Sequence, residues 1–178
     1  MKRTISMLLA LSLALTLLCA CGAAMPDPPN TNLGMLVITP EEFRAQYNQA
    51  LAQQKDAQPL GEYQTEDTPM PKLTMHTFAP CAQVKIQLAG RQGSQYPSAV
   101  SIYLNSAEDQ TACKAFQGYC AALLQWFMEE QQVGNLLQTV KECAPATEEA
   151  SATGGDGRFL AVFSSESGSA SLMLQAAR

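Results

Sequence analysis

Few side chains in this sequence could do chemistry, and their spacing gathers none of them into a recognisable constellation. There is one histidine, His76, and six cysteines, at positions 19, 21, 81, 113, 120 and 143. A zinc site draws several such ligands together, and His76 has no partner at ligand spacing. As a general base it would need a nucleophile brought within hydrogen-bond reach by the fold; read by itself, it is a residue of a strand. No cysteine pair has the C-x-x-C spacing of a thioredoxin-like redox site or a zinc ribbon. The serines form neither a G-x-S-x-G elbow nor an S-x-x-K helix start. The glycines form neither a dinucleotide fingerprint nor a phosphate loop. Gly154-Gly155-Asp156-Gly157, with Glu148 and Glu149 nearby, lacks the alternating oxygen donors of an EF-hand and reads as a solvated acidic loop. No catalytic, cofactor-binding or metal-binding residue is therefore expected.

The two N-terminal cysteines stand in a different setting. Met1-Lys2-Arg3 is a basic start, and Ile5 to Ala20 is apolar apart from Ser6, Ser12 and Thr16. That is the n-region and h-region of an export signal, and the run is shorter than the stretch of about 20 residues that spans a bilayer. It ends in Leu18-Cys19-Ala20-Cys21-Gly22, which resembles the lipobox of bacterial lipoproteins. Cys21 has small Ala20 before it and Leu18 three residues back. Cys19 would place bulky Leu18 where a small residue belongs, and as the second residue of the box it is itself an uncommon occupant. The resemblance implies that residues 1–20 are a signal peptide and that Cys21 is the lipidated first residue of the mature chain. Ordinary cleavage near Ala23 or Ala24, releasing a secreted protein, is the alternative. Two acyl chains suffice for stable anchoring where one does not. The protein is then expected on the extracytoplasmic side of a bacterial membrane; the resemblance leaves the Gram type open.

Composition bounds the rest. Beyond the leader the chain is of single-domain length, and nine basic residues face sixteen acidic ones. An acidic chain without basic clusters excludes nucleic acid as an expected partner and leaves the lipid as the link to the membrane. Residues 21–33, with prolines at 26, 28 and 29, read as a flexible tether able to lift the domain by ~30 Å. Residues 34–178 read as one globular domain.

Within that domain the periodicity sets the elements. Thr39, Pro40 and Glu42 form a T-x-x-E capping box with proline at the first helical position, and Ile38 and Phe43 staple it; a helix is expected over 40–54. A polar passage from Gln58 to Pro71 follows. Alternation then predicts strands over 72–78, 83–88 and 100–104. Ser106 is the expected cap of a long helix with the stripe Cys113, Phe116, Cys120, Leu123, Leu124 and Phe127, flanked by Tyr119 and Trp126. Its small side, Ala115, Gly118 and Ala122, suits close packing of another helix. Gly134 is expected to break the helix, Asn135 to cap a second one, and Pro145 to Gly157 to form a loop. Strands over 159–164 and 170–175 complete the order α-β-β-β-α-α-β-β. The expected class is α+β, an antiparallel sheet of about five strands with helices packed on one face.

Four cysteines remain for disulfides in an exported domain. Cys113 and Cys120 are too far apart along one helix to bridge, at ~10.5 Å of axial rise. A helical hairpin turning near residue 132 would bring Cys120 level with Cys143, so that pair is the expected bridge, with Cys81–Cys113 as its weaker complement.

Two functional classes stay open. One is a non-catalytic module that binds an extracytoplasmic protein, glycan or small molecule. The other is a small cell-envelope enzyme whose site is assembled from distant residues.

Overall fold

The capping box at Thr39 closes as its residue types require. Thr39 Oγ1 accepts the Glu42 N–H at 3.3 Å, while the Glu42 carboxylate accepts the Thr39 N–H at 2.9 Å. The computed structural model describes residues 24–69, 71–142, 148–166 and 168–177. Helix α1, Pro40–Leu51, starts at this cap and buries Phe43, Tyr47, Ala50 and Leu51. Ile38 and Phe43, the two ends of the staple, are both buried.

Helix α2, Gln110–Phe127, is capped by Asp109 rather than Ser106. One Asp109 carboxylate oxygen takes the N–H groups of Thr111 and Ala112 at 2.9 and 3.1 Å. Phe116, Tyr119, Cys120, Leu123, Leu124 and Phe127 are buried along its core side. The small patch is used as well, but by irregular chain: a Cβ on Gly118 would lie 3.1 Å from the Ala57 Cβ.

The break after α2 falls at Met128 and Glu129, and helix α3, Glu130–Glu142, runs straight through Gly134. Gln132 explains the shift. Its Oε1 accepts the Glu129 N–H at 3.2 Å, the side-chain half of a capping box, so the new helix has its N-terminal cap there. Gly134 lies on the exposed side with nothing near its missing Cβ, where a glycine costs about 1 kcal/mol of helix propensity but breaks nothing.

The helices lie on one sheet, as the α+β class requires. That sheet has seven strands, with the order β3-β4-β5-β6-β9-β8-β7. They are β3 Tyr63–Thr68, β4 Leu73–Cys81, β5 Val84–Arg91, β6 Ala99–Leu104, β7 Glu148–Gly154, β8 Phe159–Glu166 and β9 Ser169–Ala176, and every neighbouring pair is antiparallel. The five expected strands are the five inner ones. The two unforeseen strands, β3 and β7, are the edges, and their sequences YQTEDT and EEASATG carry too little apolar alternation to signal a half-buried strand. Polar, charged edges also keep a sheet from pairing with another chain.

Register puts one face of every inner strand under the helices. Ile86 lies opposite Ile102, Ile102 opposite Leu172, and Leu172 opposite Phe163, all fully buried. Tyr47 ties α1 to α2 by donating its hydroxyl to the Tyr119 carbonyl at 2.5 Å.

The segment before α1 is not the free tether expected through Leu33. Met25 packs against the core and Pro29 is buried. The Trp126 indole N–H donates to the Asp27 carbonyl at 3.1 Å, and the Val37 N–H to the Asn30 carbonyl at 2.8 Å. Strands β1, Thr31–Asn32, and β2, Met35–Leu36, form a small hairpin of their own. Proline and methionine supply apolar surface that the groove beside Trp126 can cover, and the short hairpin satisfies the backbone. Residues 1–23, with the expected leader, Cys19 and Cys21, lie outside the described residues, as does Cys143.

Candidate functional site

The docked segment, the α2–α3 corner and the β7–β8 turn border an open cleft of about 710 Å³. Its apolar lining comes from Met25, Pro26 and Pro28 on one side and from Trp126, Phe127 and Met128 on the other. Glu129, Glu130, Asp156 and Arg158 complete it and are exposed at its rim.

Each part is held by a specific contact. Trp126 and Phe127 pack edge to face at 4.8 Å, and Phe127 against Phe159 at 5.1 Å. Trp126 also meets Phe43 at 5.6 Å, so the aromatic core of the domain runs directly into the cleft wall. Gln132 Oε1 accepts the Gly155 N–H at 3.3 Å as well as that of Glu129, which fixes the turn to the corner. The turn itself needs left-handed backbone at Gly155, Asp156 and Gly157, with φ of 59°, 57° and 83°. Its glycines therefore serve backbone geometry. Arg158 donates to the Gly155 carbonyl at 2.9 Å, and its guanidinium stands 5.3 Å from the centre of the Phe159 ring. Trp126 and Phe127 keep only 2% of their surface exposed at the floor of the cleft, and an open cleft bordered by apolar residues and a few charged groups can seat a small ligand. Three carboxylates against one guanidinium give it a negative balance.

His76 belongs to a second polar group, at the β3–β4 edge. Its Nδ1 lies 2.9 Å from Thr65 Oγ1, and its ring meets that of Tyr63 at 5.3 Å, edge on. The Tyr63 hydroxyl donates to the Glu41 carboxylate. That bond holds Glu41 below the ordinary carboxylate range and pushes the Tyr63 hydroxyl up. Burial holds His76 below the ordinary histidine value, against the opposite pull of Glu41 and Asp67. A base, an acid and a hydroxyl thus share one corner. Glu41 and Thr65 are exposed there, and the cleft beside Trp126 is not lined by His76. Among the described residues, no three His, Cys, Asp or Glu side chains gather closely enough to hold a metal ion.

The cysteines correct the expected bridge. Cys120 is a free thiol, fully buried on the core side of α2, and burial pushes it well above its ordinary value. Cys81 is free too, whereas Cys113 is disulfide-bonded. Neither Cys120–Cys143 nor Cys81–Cys113 is therefore formed, and the partner of Cys113 lies outside the described residues. The error traces to the helix break. With the corner at Met128–Glu129 instead of 132, the end of α3 comes level with the first turns of α2: Gln117 donates to the Lys141 carbonyl at 2.8 Å.

The sequence singled out Trp126 and the 154–157 turn without joining them, and missed Met25, Pro26, Pro28, Gln132 and Arg158. The visible signal was Met25 itself, an apolar residue in a passage otherwise suited to solvent. No family model, curated protein or solved structure matches the chain.

Proposed function

We propose that the chain is a lipid-anchored extracytoplasmic lipoprotein of a bacterial membrane, lipidated at Cys21, whose domain is a non-catalytic binding module. The observation that carries the binding reading is the cleft beside Trp126. Its apolar walls and its balance of Glu129, Glu130 and Asp156 over Arg158 suit a ligand that joins an apolar body to a positive charge, such as an amine-bearing peptide or solute. Titration of Trp126 fluorescence with amphipathic amines and their neutral analogues tests it. The amines should give a saturable change that Glu129→Gln with Glu130→Gln weakens about tenfold, or 1.4 kcal/mol in binding free energy. Equal responses to charged and neutral compounds would remove the charge argument.

Anchoring rests on the residues around Leu18-Cys19-Ala20-Cys21. Cells fed labelled fatty acid should label the wild-type protein and not Cys21→Ser. Equal labelling of both would sink the assignment.

The alternative, a small envelope enzyme, is supported by the convergence of Glu41, Tyr63 and His76. Any hydrolytic or transfer activity found in the purified protein should then disappear in His76→Ala, and its survival would end that reading.

A further inference from the structure

Only Gly22, Ala23 and Ala24 separate Cys21 from Met25, which already packs against the core. Four residue steps of fully extended chain reach at most ~14 Å. The domain is thus held far closer to its anchor than a free tether to residue 33 would allow.

The end of the sheet nearest that leash is fixed by register. Ala89 pairs with Ala99, Ala99 with Gln175, and Gln175 with Leu160. The β5–β6 loop, the end of β9 and the β7–β8 turn of the cleft therefore share one end of the molecule. The β1–β2 hairpin joins the same end, since the Leu36 N–H donates to the Pro97 carbonyl at 2.8 Å. At its tip stands Leu33, 90% exposed and held at φ 51°. A large apolar residue is uncommon in the left-handed region, and the next residue, Gly34, is the usual choice there. Its exposure is far above that of the other exposed large apolar side chains among the described residues, Val37, Tyr103 and Met173, which lie at 36–38%.

We propose that this end of the domain faces the bilayer, with Leu33 seated in the headgroup layer as a second contact beside the Cys21 lipid, and with the cleft opening toward the membrane surface. The proposal rests on the anchoring reading. It places the binding cleft where a ligand would be taken from the interface instead of from the open solvent. Leucine at the end of a tight hairpin offers the interface a compact apolar point, and the acidic chain supplies no polybasic alternative.

Trp126 is the only tryptophan and lines the cleft, so it reports its own distance from the membrane. The lipidated full chain is reconstituted in vesicles of phosphatidylcholine and phosphatidylglycerol carrying a dansyl headgroup probe, and energy transfer from Trp126 is measured. An insertion of about twelve Gly and Ser residues between Ala24 and Met25 lengthens the leash without touching the packed residues. We expect strong transfer in the wild type, a several-fold loss in the insertion variant, and a smaller loss in Leu33→Asp, all three pelleting with the vesicles. Equal transfer in wild type and insertion variant, with both pelleting, overturns the orientation and leaves the anchor standing. Unchanged transfer in Leu33→Asp overturns the leucine contact. Wild type left in the supernatant with Cys21→Ser overturns the anchor and the orientation with it. Urea melts of each variant separate these outcomes from unfolding.

Discussion

The two faces of the sheet are built from the same strands and live in different environments. On β6, Val100, Ile102 and Leu104 point under the helices and are buried, while Tyr103 between them keeps 36% of its surface. On β9, Leu172 and Leu174 are buried and Met173 keeps 36% as well. The helix-free face mixes these few large side chains with Lys85, Gln87, Ser171 and Gln175, so that no second layer is needed to cover it. The covered face carries the buried core, and the open one carries the more exposed side chains.

The widest gap between the faces should appear within one strand. Ile102→Ala removes a fully buried side chain against Ile86 and Leu172, and should cost about 2–5 kcal/mol in urea unfolding. A loss below 1 kcal/mol would mean that the helix layer collapses into the hole.

How the helices are held over that face gives the next test. Non-reducing peptide mapping should recover Cys81 and Cys120 as alkylated thiols and Cys113 joined to Cys143, the partner that remains when Cys19 is removed and Cys21 lipidated as proposed. Cys113→Ser should then cost about 2–4 kcal/mol. Recovery of Cys113 as a thiol would contradict the bonded state.

At the margin of the covered face, strand β7 meets the α2–α3 corner with no room for a side chain. A Cβ on Gly154 would lie 2.4 Å from Met128 Cγ and 2.9 Å from Met128 Cβ. Gly154→Ala should cost about 1–3 kcal/mol by overpacking, and should change Trp126 emission, because Met128 and Trp126 line one cleft. A neutral outcome would show that the corner yields freely.

Where the covered face runs out, His76 should titrate below the ordinary histidine value near 6.5, because burial disfavours its charged form. The unfolded chain then binds that proton more readily. Stability should rise with pH up to about 6.5 and be lost as pH falls through the folded value. Proton NMR of the only imidazole gives the midpoint directly, and a midpoint above 6.5 would show that Glu41 and Asp67 dominate instead. Glu41, Glu42 and Asp67 are depressed by hydrogen bonds from Tyr63, Thr39 and Thr74, so they add to the loss at lower pH.

The smallest effect belongs to the open face. Tyr103→Ser should change stability by no more than about 0.5 kcal/mol. A cost near that of Ile102→Ala would erase the contrast between the faces.

Periodicity and capping residues by themselves determined the covered half of this architecture. The T-x-x-E box at Thr39 fixes where α1 begins, and the alternation of β4, β5, β6, β8 and β9 fixes which side chains turn inward. The stripe from Phe116 to Phe127 does the same for α2. Each is a local pattern that states which of its own faces must leave water. What tertiary structure decided is whatever depends on a distant partner. Strands β3 and β7 exist because β4 and β8 offer unpaired backbone, and main-chain pairing leaves little mark on sequence. The helix break sits at Met128–Glu129 because Gln132 reaches back to cap it, overriding the glycine two residues later. That shift moved the end of α3 by most of a turn and changed which cysteine takes part in a bridge. The cleft arose the same way. Met25, Pro26 and Pro28 look like solvent-exposed chain until Trp126, about a hundred positions on, provides an indole N–H for the Asp27 carbonyl and a surface to cover.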